Sequence, residues 1–256
     1  MSVPVRPRAV AIIPARFASQ RLPGKPLEPI NGVPMICHVM ERASRARSIA
    51  GVIVATDDQR IADVVHAHGG RAVMTPTTLQ SGTDRIAWVA RTLDDVDLVV
   101  NVQGDEPLLP PEMIDLAVRP LLDDRSIAAG TLVRRITSTA ELMNPNLPKV
   151  VLDGEGFCLY FSRSPIPYGR DLPPEQWLEL HTYYRHIGLY VFRTSFLVQY
   201  ASWPQTPLEK AEKLEQLRIL EHGRRMKAVV TDLESIAVDT PADLERVRTL
   251  MMTQAS

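Results

Sequence analysis

The sequence has few cysteines, no excess of either charge and no long apolar segment. Its two cysteines, Cys37 and Cys158, have neither a metal-binding nor a nucleophile spacing, so we predict small core residues in a reducing compartment. The 29 basic and 30 acidic side chains give no general electrostatic basis for binding nucleic acid or an anionic membrane. No apolar run approaches the ~20 residues of a membrane span, and the N-terminal MSVPVRPRAV lacks the apolar region of a signal peptide. We therefore expect a cytoplasmic protein.

Strands and helices alternate through the first half of the 256 residues, 45% of which are hydrophobic. The segments AVAIIPA, GVIVAT, RAVM and DLVVNV read as strands, and the segments between them have helical periodicity. Continuous apolar strands of this kind are buried on both sides. The pattern therefore predicts an α/β fold with a predominantly parallel sheet and helices on both faces.

The second half is less regular, and we expect it to include a mixed, antiparallel insertion. KVVLDGEGFCLYF indicates two strands joined at residues 153–156, and RHIGLYVF indicates a further strand. TPLEKAEKLEQLRILEHG is predicted to be one helix, with Thr206 as its cap and Gly223 after its end. We expect one domain of residues 1–256, with the insertion at about 137–203.

A basic and constrained loop follows the first predicted strand. IPARFASQRLPGKPL contains Arg16, Arg21 and Lys25, with Gly24 permitting close approach of the main chain. In open parallel sheets ligands bind at the carboxyl ends of the strands, where this loop begins. Its cations and main-chain N–H groups suit a polyphosphate, although the GxxxxGK[ST] and GxGxxG patterns are absent. From these residues alone, a solvated basic loop is an open alternative.

Two aspartates are candidates for holding a hard cation. Asp105 of NVQGDEP follows the strand DLVV directly, and Asp239 of AVDTPADL precedes the last predicted helix. Mg²⁺ commonly takes one or two protein carboxylates and completes its shell with water and substrate phosphate. A turn or cap role is the alternative for both, and taken alone it is the better reading of Asp239. Together with the basic loop, the pair suits metal-assisted attack on a nucleotide phosphate.

Two further segments place polar side chains at positions that need an explanation. In RHIGLYVF, strand alternation puts His186, Gly188 and Tyr190 on one face, and the simplest reading of His186 is a hydrogen-bonded core residue. In the helix predicted from Thr206, the spacing puts Glu215 on an apolar stripe. A carboxylate is costly to bury without partners. Either the stripe is partly exposed or Glu215 faces polar groups of a ligand.

Seven segments, in this order, resemble those of a known family: IIPARFASQRLPGKPL, SGTDR, NVQGDEP, YFSRSPIPY, RHIGLYVFR, LEKAEKLEQLR and VDTPADLERV. From about Ala9 to Met251 the chain is similar to the 3-deoxy-manno-octulosonate (Kdo) cytidylyltransferases, which have a nucleotide-diphospho-sugar transferase-like fold. The resemblance implies that CMP passes from CTP to the anomeric hydroxyl of Kdo with Mg²⁺, giving CMP-Kdo and pyrophosphate for bacterial lipopolysaccharide biosynthesis. It also implies a homodimer, for which Ile166, Trp177, Leu178 and Leu180 could supply an apolar surface.

The resemblance further implies a role for each matching residue. The expected catalytic residues are Arg16, Lys25 and Asp105. Those expected at the nucleotide are Pro14, Ala15, Arg16, Ser19, Lys25, Ser81 and Gly82. Those expected at the sugar are Arg21, Gln103, Arg163, His186, Tyr190, Glu215 and Gln216, with Arg163 on the substrate carboxylate. The expected metal ligands are Asp105 and Asp239.

Three alternatives stay open. An 8-amino analogue of Kdo, or less readily sialic acid, could replace Kdo as the acceptor. A nucleotide-sugar glycosyltransferase would commonly show an Asp-x-Asp motif after a strand, and residues 56–58 and 104–106 do not have that spacing. A silent nucleotide-binding module would have no need for both the metal carboxylates and the sugar residues.

Overall fold

A nine-stranded mixed sheet forms the centre of the molecule. A computed structural model describes residues 8–18, 22–79 and 81–254. The strands of the sheet are β1 (Ala9–Ala15), β4 (Val52–Thr56), β5 (Arg71–Met74), β6 (Leu98–Asn101), β7 (Ala129–Arg135), β8 (Lys149–Leu152), β9 (Cys158–Ser162), β10 (Tyr184–Arg193) and β11 (Lys227–Val230). A separate antiparallel pair consists of β2 (Pro29–Ile30) and β3 (Val33–Pro34).

The strand order is β11-β7-β10-β6-β1-β4-β5, and β10 is the antiparallel member of this path. The strands β1, β4, β5 and β6 pair in parallel, as do β7 and β11. The hairpin β8–β9 joins the sheet through antiparallel pairing of β8 with β10. The predicted, predominantly parallel sheet with antiparallel strands in the second half is confirmed.

Helices cover both faces of this sheet. The helices are α1 (Met35–Ser44), α2 (Gln59–Ala67), α3 (Gly82–Ala90), α4 (Pro111–Asp123), α5 (Thr139–Met143), α6 (Trp177–Leu180), α7 (Thr194–Ser202), α8 (Pro207–Glu212), α9 (Leu217–Glu221) and α10 (Pro241–Gln254). Successive residues of β1 enter different cores, because strand side chains alternate between faces. Ile13 packs in one core with Ile36 of α1, and Ile12 packs in the other with Ile86 of α3. The predicted burial of β1 on both sides is confirmed.

The prediction of one continuous helix after Thr206 is wrong, because the structure divides this segment into two helices. The helix α8 ends at Glu212, Lys213 adopts a left-handed conformation with φ = 55°, and α9 begins only at Leu217. Glu215 therefore lies in a break between two short helices and not on a helical stripe. Glu215 is therefore buried by the path of this break and not by its position on an apolar helix face.

A small satellite core lies outside the two main ones. Trp177 is only 4% exposed and packs with Ile136, Leu142 and Tyr183. Its indole N–H donates to the carbonyl oxygen of Leu172. The expectation of an exposed Trp177 is therefore wrong: this side chain stabilises the loop after β9 from within. Leu180 beside it is exposed, as expected.

Both cysteines are buried, as expected. Burial raises the pKa of the Cys37 thiol to about 11 and that of the Cys158 thiol to about 12. Across residues 8–18, 22–79 and 81–254, none of the helices combines the length and the apolar character needed to cross a bilayer.

Candidate active site

Two adjoining cavities open near the carboxyl ends of β1 and β6. The larger, of about 870 Å³, and the smaller, of about 360 Å³, share Gly82, Gln103 and Glu215 in their walls. The edge of a parallel sheet at its carboxyl ends is the usual binding position in open α/β folds. The predicted residues that line the larger cavity are Pro14, Ala15, Arg16, Lys25, Ser81, Gly82, Gln103, Asp105 and Glu215. Those that line the smaller one are Gly82, Gln103, His186, Tyr190, Glu215 and Gln216.

Glycines allow the main chain to approach closely around the larger cavity. A Cβ at position 104 would lie 2.9 Å from the carbonyl oxygen of Pro14, so only glycine lets the segment after β6 pass this close to the end of β1. Gly24 has φ = 72° and precedes the short 3₁₀ helix Lys25–Leu27. This turn brings Lys25 back to the cavity that Arg16 lines.

The N-terminus of α3 lies at the same cavity. Ser81 caps the helix through a capping box: its Oγ accepts from the N–H of Asp84 at 3.1 Å, and the Asp84 carboxylate accepts from the N–H of Ser81 at 3.1 Å. Gly82 then sits against Pro14, whose Cγ would lie 3.3 Å from a Cβ at that position. Ser81, Gly82 and Asp84 all line the larger cavity.

Cations from the basic loop stand at two points of the larger cavity. Arg16 donates from Nη2 to the carbonyl oxygen of Leu79 at 2.7 Å, and burial, followed by the nearby charge of Arg85, lowers the pKa of Arg16. Lys25 Nζ lies 2.6 Å from Asp105 and 3.2 Å from Asp239. Burial acts to lower the pKa of Lys25, but the two carboxylates outweigh it and the pKa is raised. The structure thus brings Lys25, Asp105 and Asp239 together.

The smaller cavity is lined by buried polar and aromatic side chains. His186 Nε2 lies 2.9 Å from Thr131 Oγ1, and its ring centroid is 5.2 Å from that of Tyr190. Burial lowers the pKa of His186 to about 3, so the imidazole is neutral. Gln103 Nε2 donates to the carbonyl oxygen of Gly188 at 2.8 Å, and Tyr190 Oη donates to Gln216 Oε1 at 3.3 Å. Burial raises the pKa of Tyr190.

Strand alternation alone does not describe β10. Its register against β7 shifts between Ile187 and Tyr190, so the strand has an irregularity at Gly188 and Leu189. His186, Gly188 and Tyr190 nevertheless line the same cavity, as the sequence predicts.

Glu215 is the acid that both cavities share. Thr83 Oγ1 donates to its Oε2 at 2.6 Å, and Tyr200 Oη donates to its main-chain oxygen at 2.7 Å. Burial raises the pKa of the Glu215 carboxyl, while the Thr83 hydrogen bond and then Arg218 oppose the rise. A carboxylate held in this way still has acceptor capacity for a ligand.

Comparison with known proteins identifies the family of this chain. A family model described as cytidylyltransferase matches residues 10–228. A 3-deoxy-manno-octulosonate cytidylyltransferase of Geotalea uraniireducens (strain Rf4) is 54% identical over 249 residues, covering 94% of this chain and 97% of the relative. One of Chloroherpeton thalassium (strain ATCC 35110 / GB-78) is 46% identical over 246 residues, covering 95% and 98%. The chain belongs to the 3-deoxy-manno-octulosonate cytidylyltransferase family.

A solved structure of a CMP:2-keto-3-deoxy-manno-octonic acid synthetase, described as complexed with CTP, has the same fold as this family member. Its TM-score is 0.90 at 42% identity, covering 96% of this chain and 99% of the other. A 4-diphosphocytidyl-2C-methyl-D-erythritol synthase from Anaerococcus prevotii DSM 20548 shares the fold at 15% identity and a TM-score of 0.63. The family resemblance seen in the sequence is confirmed.

Of the predicted site residues that the structure describes, Arg163 and Asp239 line neither cavity, although Asp239 contacts Lys25. Arg163 Nε donates to the carbonyl oxygen of Glu212 at 2.7 Å and its Nη1 to that of Pro145 at 2.9 Å. The guanidinium of Arg163 is thus directed at main-chain oxygens, and its assignment to the substrate carboxylate stays a prediction. Ser19 and Arg21 lie outside the described residues.

Three site residues were missed at the level of sequence. Thr83, between the helix cap and Asp84, reaches Glu215 across the fold. Arg218 lines the larger cavity and makes two hydrogen bonds to Glu209, at 2.6 and 2.8 Å, in a buried ion pair. Trp203 forms another part of that wall. The segment SGTDR was recognisable, but nothing in it indicates that Thr83 contacts a residue so distant in the chain.

Proposed function

We propose that the protein transfers CMP from CTP to the anomeric hydroxyl of Kdo and releases pyrophosphate. The observation that supports this most is the shared wall of the two cavities. The larger holds Arg16, Lys25 and Asp105, which suit a triphosphate with its cation, and the smaller holds hydrogen-bonding groups that suit a polyhydroxylated acid. Gln103 and Glu215 belong to both walls, so ligands in the two cavities would meet there.

The reaction is an in-line displacement in which the protein positions groups and stabilises charge. The sugar hydroxyl attacks the α-phosphorus of CTP while the bond to the pyrophosphate oxygen breaks. Arg16 and Lys25 would hold the triphosphate and stabilise the negative charge that develops on the leaving pyrophosphate. Ser81 and Gly82 would lie at the base or ribose, and Gln103, His186, Tyr190, Glu215 and Gln216 at the sugar.

Asp105 and Asp239 suit a divalent metal ion, which we propose to be Mg²⁺. Carboxylate oxygens are ligands that Mg²⁺ prefers, and one or two of them per ion is usual. The ammonium of Lys25 lies against both carboxylates, so the two aspartates already face a cation at this point. When bound, the ion would supply charge neutralisation at the phosphates and help to activate the hydroxyl.

The experiment crosses CTP, UTP, ATP and GTP with Kdo, its 8-amino analogue and sialic acid, and measures pyrophosphate release. We expect release with CTP and Kdo in the presence of Mg²⁺. A clear preference for the 8-amino analogue would identify a different acceptor on the same site. No release with any acid would overturn the proposed function. The expected product would feed lipopolysaccharide synthesis from the cytoplasm.

We also propose a homodimer and a role in it for residues 137–203. This segment supplies His186 and Tyr190 to the smaller cavity, and it leaves Tyr168, Leu172 and Leu180 exposed. Exposed apolar side chains that lie close along the chain suit a contact between copies. Light scattering should give twice the mass of the 28.5 kDa chain at micromolar concentration. A single-chain mass at every concentration would contradict the dimer.

A further inference from the structure

The break between α8 and α9 supplies part of the wall of the smaller cavity. Lys213, Leu214, Glu215 and Gln216 all line it. Lys213 has φ = 55°, a left-handed backbone conformation that is unfavourable for residues other than glycine. The flanking helices have only 6 and 5 residues, which is too short to fix the break by themselves. Contacts from elsewhere in the fold must therefore hold its path.

One set of contacts comes from the end of β9. Both carboxylate oxygens of Glu212, the last residue of α8, accept hydrogen bonds: Ser162 Oγ donates at 2.6 Å and the main-chain N–H of Arg163 at 3.0 Å. Arg163 Nε also donates to the carbonyl oxygen of Glu212 at 2.7 Å. We name this arrangement of Glu212, Ser162 and Arg163 the Glu212 clasp. It holds the end of α8 by both its side chain and its main chain.

The other end of the break is fixed inside the cavity. Thr83 donates to the Glu215 carboxylate at 2.6 Å and Tyr200 to the Glu215 carbonyl at 2.7 Å. Only Lys213 and Leu214 separate these contacts from the clasp. Because only two residues separate the contacts of Glu212 from those of Glu215, release of Glu212 would let Glu215 and Gln216 shift.

We propose that Glu212 is a positioning residue for the second substrate. It sets the place of Glu215 and Gln216 in the smaller cavity without touching the sugar acid itself. This inference rests on the proposed function, because it assigns the smaller cavity to that acid. Among the described residues, no member of the clasp lines either cavity. Arg163 contributes both its main-chain N–H and its guanidinium to the clasp.

The first test is Glu212→Ala, measured by steady-state kinetics with each substrate varied and by calorimetry with CTP alone. We expect the KM for Kdo to rise on the order of 10–100-fold, with less change in kcat and less than about a twofold change in the Kd for CTP. Glu212→Gln keeps one acceptor oxygen, so its KM for Kdo should lie between those of the wild type and Glu212→Ala. Equal losses for CTP and Kdo would overturn the positioning role.

A double-mutant cycle with Glu215→Ala asks whether Glu212 acts through Glu215. Residues that act through one another are non-additive. Glu212→Ala should therefore impair kcat/KM for Kdo much less in the Glu215→Ala background than in the wild type. Full additivity would overturn the proposal.

The matched control is Glu221→Ala. Glu221 accepts from the N–H of Leu208 at 3.2 Å and so ties the same two helices together away from the break. It should lower the Tm without raising the KM for Kdo. A rise as large as that of Glu212→Ala would mean general loosening and would refute the clasp.

Three cases separate failure of the clasp from failure of the proposed function. If Glu212→Ala does not fold, Ser162→Ala removes one of its hydrogen bonds and must raise the KM for Kdo, so an unchanged KM refutes the clasp. If the wild type makes no product from CTP and any sugar acid, the proposed function fails. If the wild type is active and Glu212→Ala behaves like it, only the clasp fails.

Discussion

Lys25 Nζ lies 2.6 Å from Oδ2 of Asp105 and forms an ion pair with that carboxylate. The same ammonium is 3.2 Å from Asp239. A metal ion bound by both aspartates would compete with Lys25 for their oxygens. A triphosphate would offer the ammonium another anionic partner. Nucleotide and metal binding are therefore expected to be coupled through this one side chain.

Lys25→Met tests that coupling. Without nucleotide, the affinity for Mn²⁺, used as a spectroscopic probe of the metal site, should rise on the order of 10-fold, because a competing charge is gone. CTP binding should weaken and turnover should slow, because less charge opposes that of the phosphates. Electron paramagnetic resonance titration and calorimetry measure the two effects. Lys210→Met, at an exposed position on α8, is the control and should change neither.

The Lys25 prediction fails in two distinguishable ways. Unchanged or weaker Mn²⁺ binding in Lys25→Met would show that the ammonium does not compete with the metal. Unchanged CTP binding and turnover would mean that the loop after β1 is a solvated surface feature.

Asp105→Asn tests the metal role directly. Asparagine keeps the shape of the side chain but removes one charge, and turnover should fall at least ~100-fold, by analogy with loss of a contact to transition-state charge. Asp123→Asn, at an exposed site near the end of α4, is the matched control. A folded Asp105→Asn protein with near-wild-type turnover at moderate Mg²⁺ would remove Asp105 from this role.

Local sequence patterns predicted the sheet and many residues of the larger cavity wall, for a physical reason. The strand at Ala9–Ala15 is a continuous apolar run, and the capping box at Ser81 and Asp84 depends on residues three apart. The loops after β1 and β6 meet because parallel strands end at one edge of the sheet. Each of these features is determined within a few residues or by a general rule of topology.

The wall of the smaller cavity was harder to predict because contacts between residues distant in the chain determine it. Periodicity selected Glu215 as notable, but the left-handed residue Lys213 breaks the helix that this periodicity assumed. The hydrogen bonds of Arg163 to the carbonyl oxygens of Glu212 and Pro145 likewise join segments that are distant in the chain. Neither the break nor those partners has a local sequence signal.

The neutral state of His186 should be visible in the pH dependence of stability. Its pKa is lowered to about 3 by burial, and Thr131 and Tyr190 face it without offering a negative partner. Unfolded histidine titrates near 6.5, so between about pH 3 and 6.5 the unfolded state binds more protons than the native state. Stability therefore rises with pH in that window and is lost on acidification, by up to about 1.4 kcal/mol per pH unit from this group.

His186→Gln should remove that contribution. Urea unfolding at several pH values between 5 and 7.5 should show a shallower loss of unfolding free energy on acidification than in the wild type. His181→Gln, at an exposed site, should leave the slope unchanged. A slope in His186→Gln equal to that of the wild type would mean that folding does not lower the pKa of His186.

Glu215 lines both cavities, and we propose that it contacts the sugar acid. Glu215→Ala should lower kcat/KM for Kdo on the order of 10–100-fold and affect CTP binding far less, because the lost hydrogen bonds lie on the sugar hydroxyls. Nucleotide binding without sugar is the check. If Glu215→Ala loses CTP affinity while its dependence on Kdo concentration stays intact, the assignment of the sugar to the smaller cavity is wrong.

Thr83→Val extends this prediction to pH. The Thr83 hydroxyl donates to Glu215 and lowers its pKa, while burial raises it. Valine keeps the shape but removes the donor, so the pKa of Glu215 should rise further. If the ionised carboxylate binds the sugar, the acid limb of kcat/KM for Kdo should move to higher pH in Thr83→Val and be absent in Glu215→Gln. An acid limb that is identical in all three proteins would mean that Glu215 does not need to be ionised to bind the sugar.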